Sequence, residues 1–513
     1  MTASNSSSRP TVWCIAATDS GGGAGITADV RTVSDLGCHP CAVVTAITAQ
    51  NSLMVSAVAA VSNATLLDQL NALLLDMPPQ AIKIGLLASQ AQLDCLAAWL
   101  AAHVSHVPMV LDPVLSASSG SDFGRAKLDF TPLLAITTVF TPNVAEVAAL
   151  IGSQCSSSEQ LIAAMPQLLA MTPAHLLLKG GDIDDAASAE DLLYLRQPPF
   201  CAAQHAEQGF RLRTPRIATG NNHGTGCMLS SAIAAFIAQD WVIPDAIVLA
   251  KAYVQRGLSE SYQAGMGTGA LGHSGMPQCL NDFPQVLPLQ GSLPTFEAHH
   301  DNFAFVSPIY PVVSNCAQLT ELLRGGCLTL QLRVKSDDTA QLAATIQQAI
   351  TLAKRYHAQL FINDHWRLAL KYHAYGVHLG QEDVAEADIA ALRAAGIVIG
   401  LSSHSFFEAL IALSYRPDYL ALGHIFATTT KVMPSLPQGL TRLQHYANIF
   451  ASAIPTVAIG GIDLGNLAQI RATGVQAAAV VRAVTNADDV ADAYLQLQQQ
   501  WLQGETTWEV AYD

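Results

Sequence analysis

No apolar run in this chain approaches the ~20 residues that span a bilayer as a helix, although half of its 513 residues are apolar and only 13% are charged. A membrane-spanning helix is therefore not expected, and no membrane partner is. Basic residues are scarce: 25 Lys and Arg against 40 Asp and Glu give a net charge of −15. That balance argues against a nucleic-acid partner. It does not exclude small phosphorylated substrates, which local amides, Lys, Arg and Mg²⁺ bind on acidic proteins. The polar start MTASNSSSRP has no secretory pattern. Ten scattered cysteines then suggest a reduced, cytoplasmic setting. No His and Cys cluster has zinc spacing. CHPC at Cys38 and Cys41 has redox spacing, but it lies where a helix ends and a strand begins, the reverse of a redox motif. No internal repeat is present, and the length exceeds what one core serves, so two domains are expected.

Residues 12–17 read as a strand, followed by the turn DSGGGAG and a helix. The turn lacks the spacing of either the dinucleotide fingerprint or the P-loop. Further strands are expected at 41–46, 81–84, 109–111, 139–141 and 176–178, with helices between them, which predicts a doubly wound parallel sheet. Polar residues follow those strands, where open α/β sheets bind ligands: Gln50, Asp112, Asn143 with Glu146, and Lys179. Asn143 also fits a helix cap. The stretch TGNNHGTGCMLSSAIAAF runs from a glycine turn into a helix with one apolar stripe. Gly224, Thr225, Gly226 and Cys227 would aim first-turn amides at one spot, suited to a transferring phosphoryl group, with Cys227 made more acidic by the helix N-terminus. The segment alone equally fits an ordinary glycine turn with a small buried cysteine.

Between 261 and 302 the pattern dissolves into Gly, Pro, His and Ser. The expected organisation is a tail at 1–10, a first domain at 11–284, a linker at 285–300 and a second domain at 301–513. Eight strand-like runs follow, at 303–307, 327–333, 360–363, 376–379, 397–401, 419–423, 456–459 and 477–481, which predicts a compact (β/α)8 TIM barrel. Its strand ends carry Gln331, Arg333, Lys335, Asn363, Asp364, Asp383, Ser402, Thr428, Thr430, Lys431, Gly460 and Gly461. Asp364 and Asp383 suit Mg²⁺, and the basic residues suit a diphosphate.

ATDSGGGAGITADVRT, VTAITAQN, KIGLLAS, VLDPV, TPNVAE, LLLKGGD and HGTGC, in this order, resemble the hydroxymethylpyrimidine and phosphomethylpyrimidine kinases of the ribokinase-like superfamily. That resemblance implies a ribokinase-like sheet domain that uses ATP and Mg²⁺. Gln50, Asp29, Ala24, Leu86 and Val114 would form the pyrimidine pocket. Asn143, Glu146, Lys179 and Asp112 would serve ATP and Mg²⁺, and Cys227 would stand where most of the superfamily has an aspartate base. TLQLRVK, LFINDHWRLA, GVHLGQED, LSSHS, ALGHIFATTTKVMPSLPQG and VAIGGI resemble thiamine phosphate synthase. Gln331, Arg333, Lys335, Asn363, Ser402 and Lys431 would then bind the pyrimidine diphosphate, with Mg²⁺ on Asp364 and Asp383. Thr428, Thr430, Gly460, Gly461, Val481 and Arg482 would bind thiazole phosphate, Arg482 standing where that family usually has Ser. The joined halves imply two consecutive steps of thiamine biosynthesis on small-molecule substrates, and a homo-oligomer is expected. The alternatives are a barrel acting as a thiazole phosphate tautomerase through His424, and a degenerate sensor of thiamine intermediates.

Overall fold

The computed structural model describes residues 9–115, 128–181, 183, 188–196, 209–289, 303–427 and 436–503. They form two compact units. The strands of the first are β1 (Thr11–Ala16), β2 (His39–Val44), β3 (Ala46–Gln50), β4 (Val55–Ala60), β5 (Ala81–Ile84), β6 (Met109–Leu111), β7 (Val139–Phe140), β8 (His175–Leu178), β9 (Ser188–Tyr194), β10 (Gly209–Pro215) and β11 (Gln285–Pro288). Nine of them make one sheet in the order β11-β10-β9-β8-β7-β6-β5-β1-β2, while β3 and β4 pair separately as an antiparallel hairpin.

The strands expected in this sheet, β1, β2 and β5 to β8, pair parallel, and three further strands extend it. β9, β10 and β11 run antiparallel to their neighbours. The sequence of β10, GFRLRTP, alternates, with Phe210, Leu212 and Thr214 buried and Arg213 and Pro215 exposed, in contrast to the short apolar runs of the central parallel strands. The linker expected from 285 is displaced as well, because residues 285–288 pair with β10 as an edge strand. Pro284 and Pro288 bracket a segment that has hydrogen-bonded neighbours on one side only, a position where proline is tolerated.

The helix Thr225–Ala238 is buried along its whole length from Met228 onward, Ser230 and Ser231 included, rather than along one stripe. It packs against the helices Gly25–Asp35 and Ile243–Ser259 and against β1, β5 and β6, and a helix enclosed in this way carries no polar face. CHPC opens β2, and both thiols are free and buried.

The second unit is a closed barrel of eight strands, all paired parallel: β12 (Ile309–Val313), β13 (Thr329–Leu332), β14 (Gln359–Asn363), β15 (Gly376–Leu379), β16 (Val398–Ser403), β17 (Tyr419–Gly423), β18 (Thr456–Ile459) and β19 (Ala477–Val480). The first barrel strand is thus 309–313 and not the expected 303–307. Phe303 and Phe305 instead pack their rings 5.7 and 5.1 Å from Tyr419, the first residue of β17. They plug the N-terminal end of the barrel, opposite the strand ends that carry the polar residues. An apolar pair spaced by two residues reads as a strand from its pattern alone, and the structure uses it as a lid on the core. Among the described residues no helix is long and apolar enough to cross a membrane.

Candidate active sites

A cavity of about 510 Å³ opens at the strand ends of the first unit. Gln50, Ala24, Leu86, Val114, Asp112, Asn143, Glu146, Lys179, Gly224, Thr225, Gly226 and Cys227 all line it, so the expected residues converge. Asp29 does not line it. Asp29 is fully buried beneath the floor, where Lys83 Nζ donates to both its oxygens at 2.7 Å and Ser231 Oγ donates at 2.7 Å. Asp29 therefore holds a lysine in place and does not shape the pocket wall. Lys83 itself reaches the cavity. Burial opposes its charge, but Asp29, then Cys227 and Asp112, hold its pKa above the ordinary lysine value.

The second glycine turn enters its helix at Gly224, whose φ is 86°. A Cβ there would meet the Gly23 carbonyl oxygen at 2.0 Å, so only glycine lets the two turns close on each other. Of the amides expected to converge, that of Thr225 turns back toward the Asn222 carbonyl at 3.4 Å. Those of Gly226 and Cys227 lie in the first helical turn, where no intrahelical partner exists. Lys179 stands over them: a Cβ on Gly226 would lie 3.2 Å from Lys179 Nζ. Lys179 donates to Asp112 Oδ1 at 2.7 Å and lies 3.8 Å from Glu146 Oε2. Asn143 and Glu146 cap their helix reciprocally, at 2.7 and 2.8 Å, so the capping role is present along with the placement in the cavity. The surroundings of Cys227 work against the expected acidity. Burial, then Asp29 and Asp112, outweigh Lys83 and push its thiol up to about 11.

Sequence reasoning missed a clamp across the two turns. Asp19 accepts from the amides of Gly21 at 2.8 Å, Gly23 at 3.1 Å and Ala24 at 2.8 Å, and pairs with His223 Nε2 at 3.0 Å. Burial works against the Asp19 charge, but the His223 contact and the amide bonds hold its pKa low. It also missed Lys251, which donates to Asp191 Oδ2 at 2.6 Å at the cavity wall. Lys83 within the apolar strand AIKI was a signal in the sequence, since a lysine there needs a buried partner.

In the barrel, Asp364 follows β14 with φ of 62°, its amide donating to the His378 carbonyl at 3.0 Å. Asp383 lies in the first turn of the helix Gln381–Glu386 and accepts from the Gly380 amide at 3.2 Å. Burial, then the Asp383 charge, push Asp364 up to about 6. Two hard oxygen donors that repel each other fit a divalent cation. Gln331 and Arg333 stand at the end of β13, Asn363 at the end of its neighbour β14 and Ser402 on β16, two strands further round the barrel, and Lys335 is exposed beyond β13. Gly460 and Gly461 follow β18 with φ of 109° and 67°. Val481 caps the short helix Arg482–Thr485, and Arg482 is exposed. Thr428, Thr430 and Lys431 lie outside the described residues. His424 is buried, and burial lowers its pKa.

Behind the mouth runs a line of polar side chains. Gln331 Nε2 donates to Tyr310 Oη at 3.2 Å, and Tyr310 Oη lies 2.9 Å from Tyr419 Oη. Tyr419 Oη lies 2.8 Å from His378 Nδ1, and His378 Nε2 lies 2.8 Å from Ser402 Oγ. Burial, then Arg333, lower the His378 pKa to about 4.

A first unit that aims helix amides and lysines at one cavity, and a barrel with paired carboxylates at its mouth, define a two-site enzyme of phosphorylated substrates. The comparisons with known proteins agree. The family model described as Phosphomethylpyrimidine kinase matches residues 19–272, and that described as Thiamine monophosphate synthase matches residues 305–484. The thiamine-phosphate synthase of Escherichia coli K12 is 51% identical over 185 residues, which is 36% of this chain and 87% of that protein. Among solved structures, the phosphomethylpyrimidine kinase from Clostridium difficile 630 is 28% identical, covering 48% of this chain and 98% of its own, at a TM-score of 0.40. The thiamine phosphate pyrophosphorylase from Pyrococcus furiosus is 32% identical, covering 38% and 95%, at a TM-score of 0.34. The chain belongs to the thiamine-phosphate synthase family and carries a phosphomethylpyrimidine kinase domain ahead of the synthase domain. Both domains are transferases of thiamine biosynthesis, and the tautomerase and sensor alternatives are not favoured.

Proposed function

We propose that the first domain phosphorylates hydroxymethylpyrimidine and its monophosphate with ATP, and that the barrel joins the resulting diphosphate to thiazole phosphate, giving thiamine phosphate and diphosphate. The convergence of the Gly226 and Cys227 amides with Lys179 on one cavity carries the first half of this reading. Phosphoryl transfer needs mostly positioning and charge stabilisation. Gln50, Leu86 and Val114 would orient the pyrimidine, while the two amides and Lys179 would stabilise charge on the transferring group. A thiol near 11 is a poor base at neutral pH. Cys227 therefore serves chiefly by offering its amide and a compact contact.

In the barrel Asp364 and Asp383 would hold Mg²⁺, which supplies charge neutralisation for a departing diphosphate. Arg333, Lys335 and Lys431 would bind the diphosphate oxygens, with Gln331, Asn363 and Ser402 lining the same subsite. Thr428, Thr430, Gly460, Gly461, Val481 and Arg482 would receive thiazole phosphate. We propose Mg²⁺ for the kinase too, beside Asp112 and Glu146, two carboxylates that share one lysine. Free thiols support a cytoplasmic setting, and light scattering would test the homo-oligomer. The deciding experiment supplies hydroxymethylpyrimidine, Mg-ATP and thiazole phosphate to the purified chain and follows thiamine phosphate. Product should form, and should also form from supplied diphosphate without ATP. Failure of the second arm alone would withdraw the barrel assignment.

A further inference from the structure

The side-chain line inside the barrel has a direction that hydrogen-bond counting fixes. An amide nitrogen only donates, so Tyr310 Oη must accept from Gln331 Nε2. Tyr310 is 1% exposed, and among the described residues its other hydrogen-bond partner is Tyr419 Oη, so its own proton points there. Tyr419, 0% exposed, then accepts from Tyr310 and has His378 Nδ1 left for its proton. A bare Nδ1 places the imidazole proton on Nε2, which donates to Ser402 Oγ. A doubly protonated ring would turn a second proton against that of Tyr419 and leave one buried hydroxyl proton with no acceptor, which the burial of this line disfavours. Ser402 is half-buried and ends the line at the mouth, so its own proton is the one free to reach outward.

We propose that Gln331, Tyr310, Tyr419 and His378 form a hydrogen-bond chain of fixed direction that presents the Ser402 hydroxyl to the substrate as a donor, with the Gln331 amide setting the direction. The role given to the donor rests on the reading of Ser402 as a contact of the pyrimidine diphosphate. Gln331 and Ser402 stand on β13 and β16, separated by two strands, and the chain couples them through the core. Tyr310, Tyr419 and His378 are thereby positioning residues. Reversing the amide would reverse every link, making Ser402 an acceptor toward the same ligand.

The test uses the full chain labelled with ¹⁵N-histidine, the His378 signal being identified by its loss in His378→Gln. The wild type should show a protonated Nε2 and a bare Nδ1. Gln331→Glu replaces the donor with an acceptor, and the proton should move to Nδ1. Tyr310→Phe cuts the Gln331 link, and both tautomers should appear, with coupling kcat lowered roughly tenfold and KM for the diphosphate little changed. Protonated Nδ1 in the wild type would overturn the direction, and so would an unchanged tautomer in Tyr310→Phe. Should Gln331→Glu not fold, these two measurements still decide. A correct tautomer together with wild-type coupling in Ser402→Ala would overturn the presenting role, and with it the placing of Ser402 against the diphosphate, while the direction would stand.

Discussion

In the first domain the three lysines that line the cavity each face a carboxylate: Lys83 with Asp29, Lys179 with Asp112 and Lys251 with Asp191. At the barrel mouth the two carboxylates face each other instead, and among the described residues no ion pair joins Asp364 or Asp383 to Arg333 or Lys335. The kinase site is neutralised from within and keeps its shape by its own ion pairs. The synthase site is left with like charges that the proposed Mg²⁺ would resolve. Removing one partner of the fully buried Lys83–Asp29 pair should therefore damage the fold of the first domain, whereas removing a mouth carboxylate should damage the chemistry of the second.

The largest effect expected is on stability. Lys83→Met leaves the Asp29 carboxylate buried without its cation, and should cost about 3–5 kcal/mol in urea unfolding of the kinase domain. Adding Asp29→Leu should recover much of that. A single-variant loss below about 1 kcal/mol would erase the contrast.

Next comes Asp364→Asn or Asp383→Asn, which should lower coupling from supplied diphosphate by about a hundredfold or more and leave pyrimidine phosphorylation intact. Normal coupling at limiting Mg²⁺ would show that the cation is held elsewhere.

Cys227 gives a smaller effect that sharpens the comparison. A thiol held near 11 stays protonated at pH 8, so its alkylation should rise about tenfold per pH unit until near 11. Saturation by pH 8 would restore the thiolate. Cys227→Ala, which keeps the amide, should lower kinase turnover by roughly tenfold at most.

The smallest effect should come from separating the halves. A cut between 290 and 302 leaves β11 in the first sheet and the Phe303 and Phe305 plug on the barrel, and each activity should stay within about twofold. A cut at 284 removes an edge strand, and kinase yield should fall.

Strand ends were the most legible feature of the sequence. Lys179, Asp112, Asn143 and Glu146 meet in one cavity because parallel strands deliver their C-terminal residues to one side. The antiparallel β9, β10 and β11 escaped because their sequences mix polar and apolar residues instead of forming an apolar run. Phe303 and Phe305 misled because a two-residue period suits a plug as well as a strand. The surroundings of the Cys227 thiol were not legible because helix position is local, whereas burial and the charges of Asp29 and Asp112 arrive from distant segments. Asp29 illustrates the same limit, since only the fold brings Lys83 and Ser231 to it.

The Asp19 clamp bears on the thermodynamics of binding. A glycine-rich turn that waits for an anion loses its many conformations when the anion arrives, and that entropy is subtracted from affinity. Here the turn already carries a carboxylate of its own chain on the Gly21, Gly23 and Ala24 amides. Its ordering is thus completed during folding, and substrate meets a wall with little freedom left to lose. Calorimetry of pyrimidine binding should show a smaller entropic penalty in the wild type than in Asp19→Ala, in which the glycines would be set only when the ligand binds.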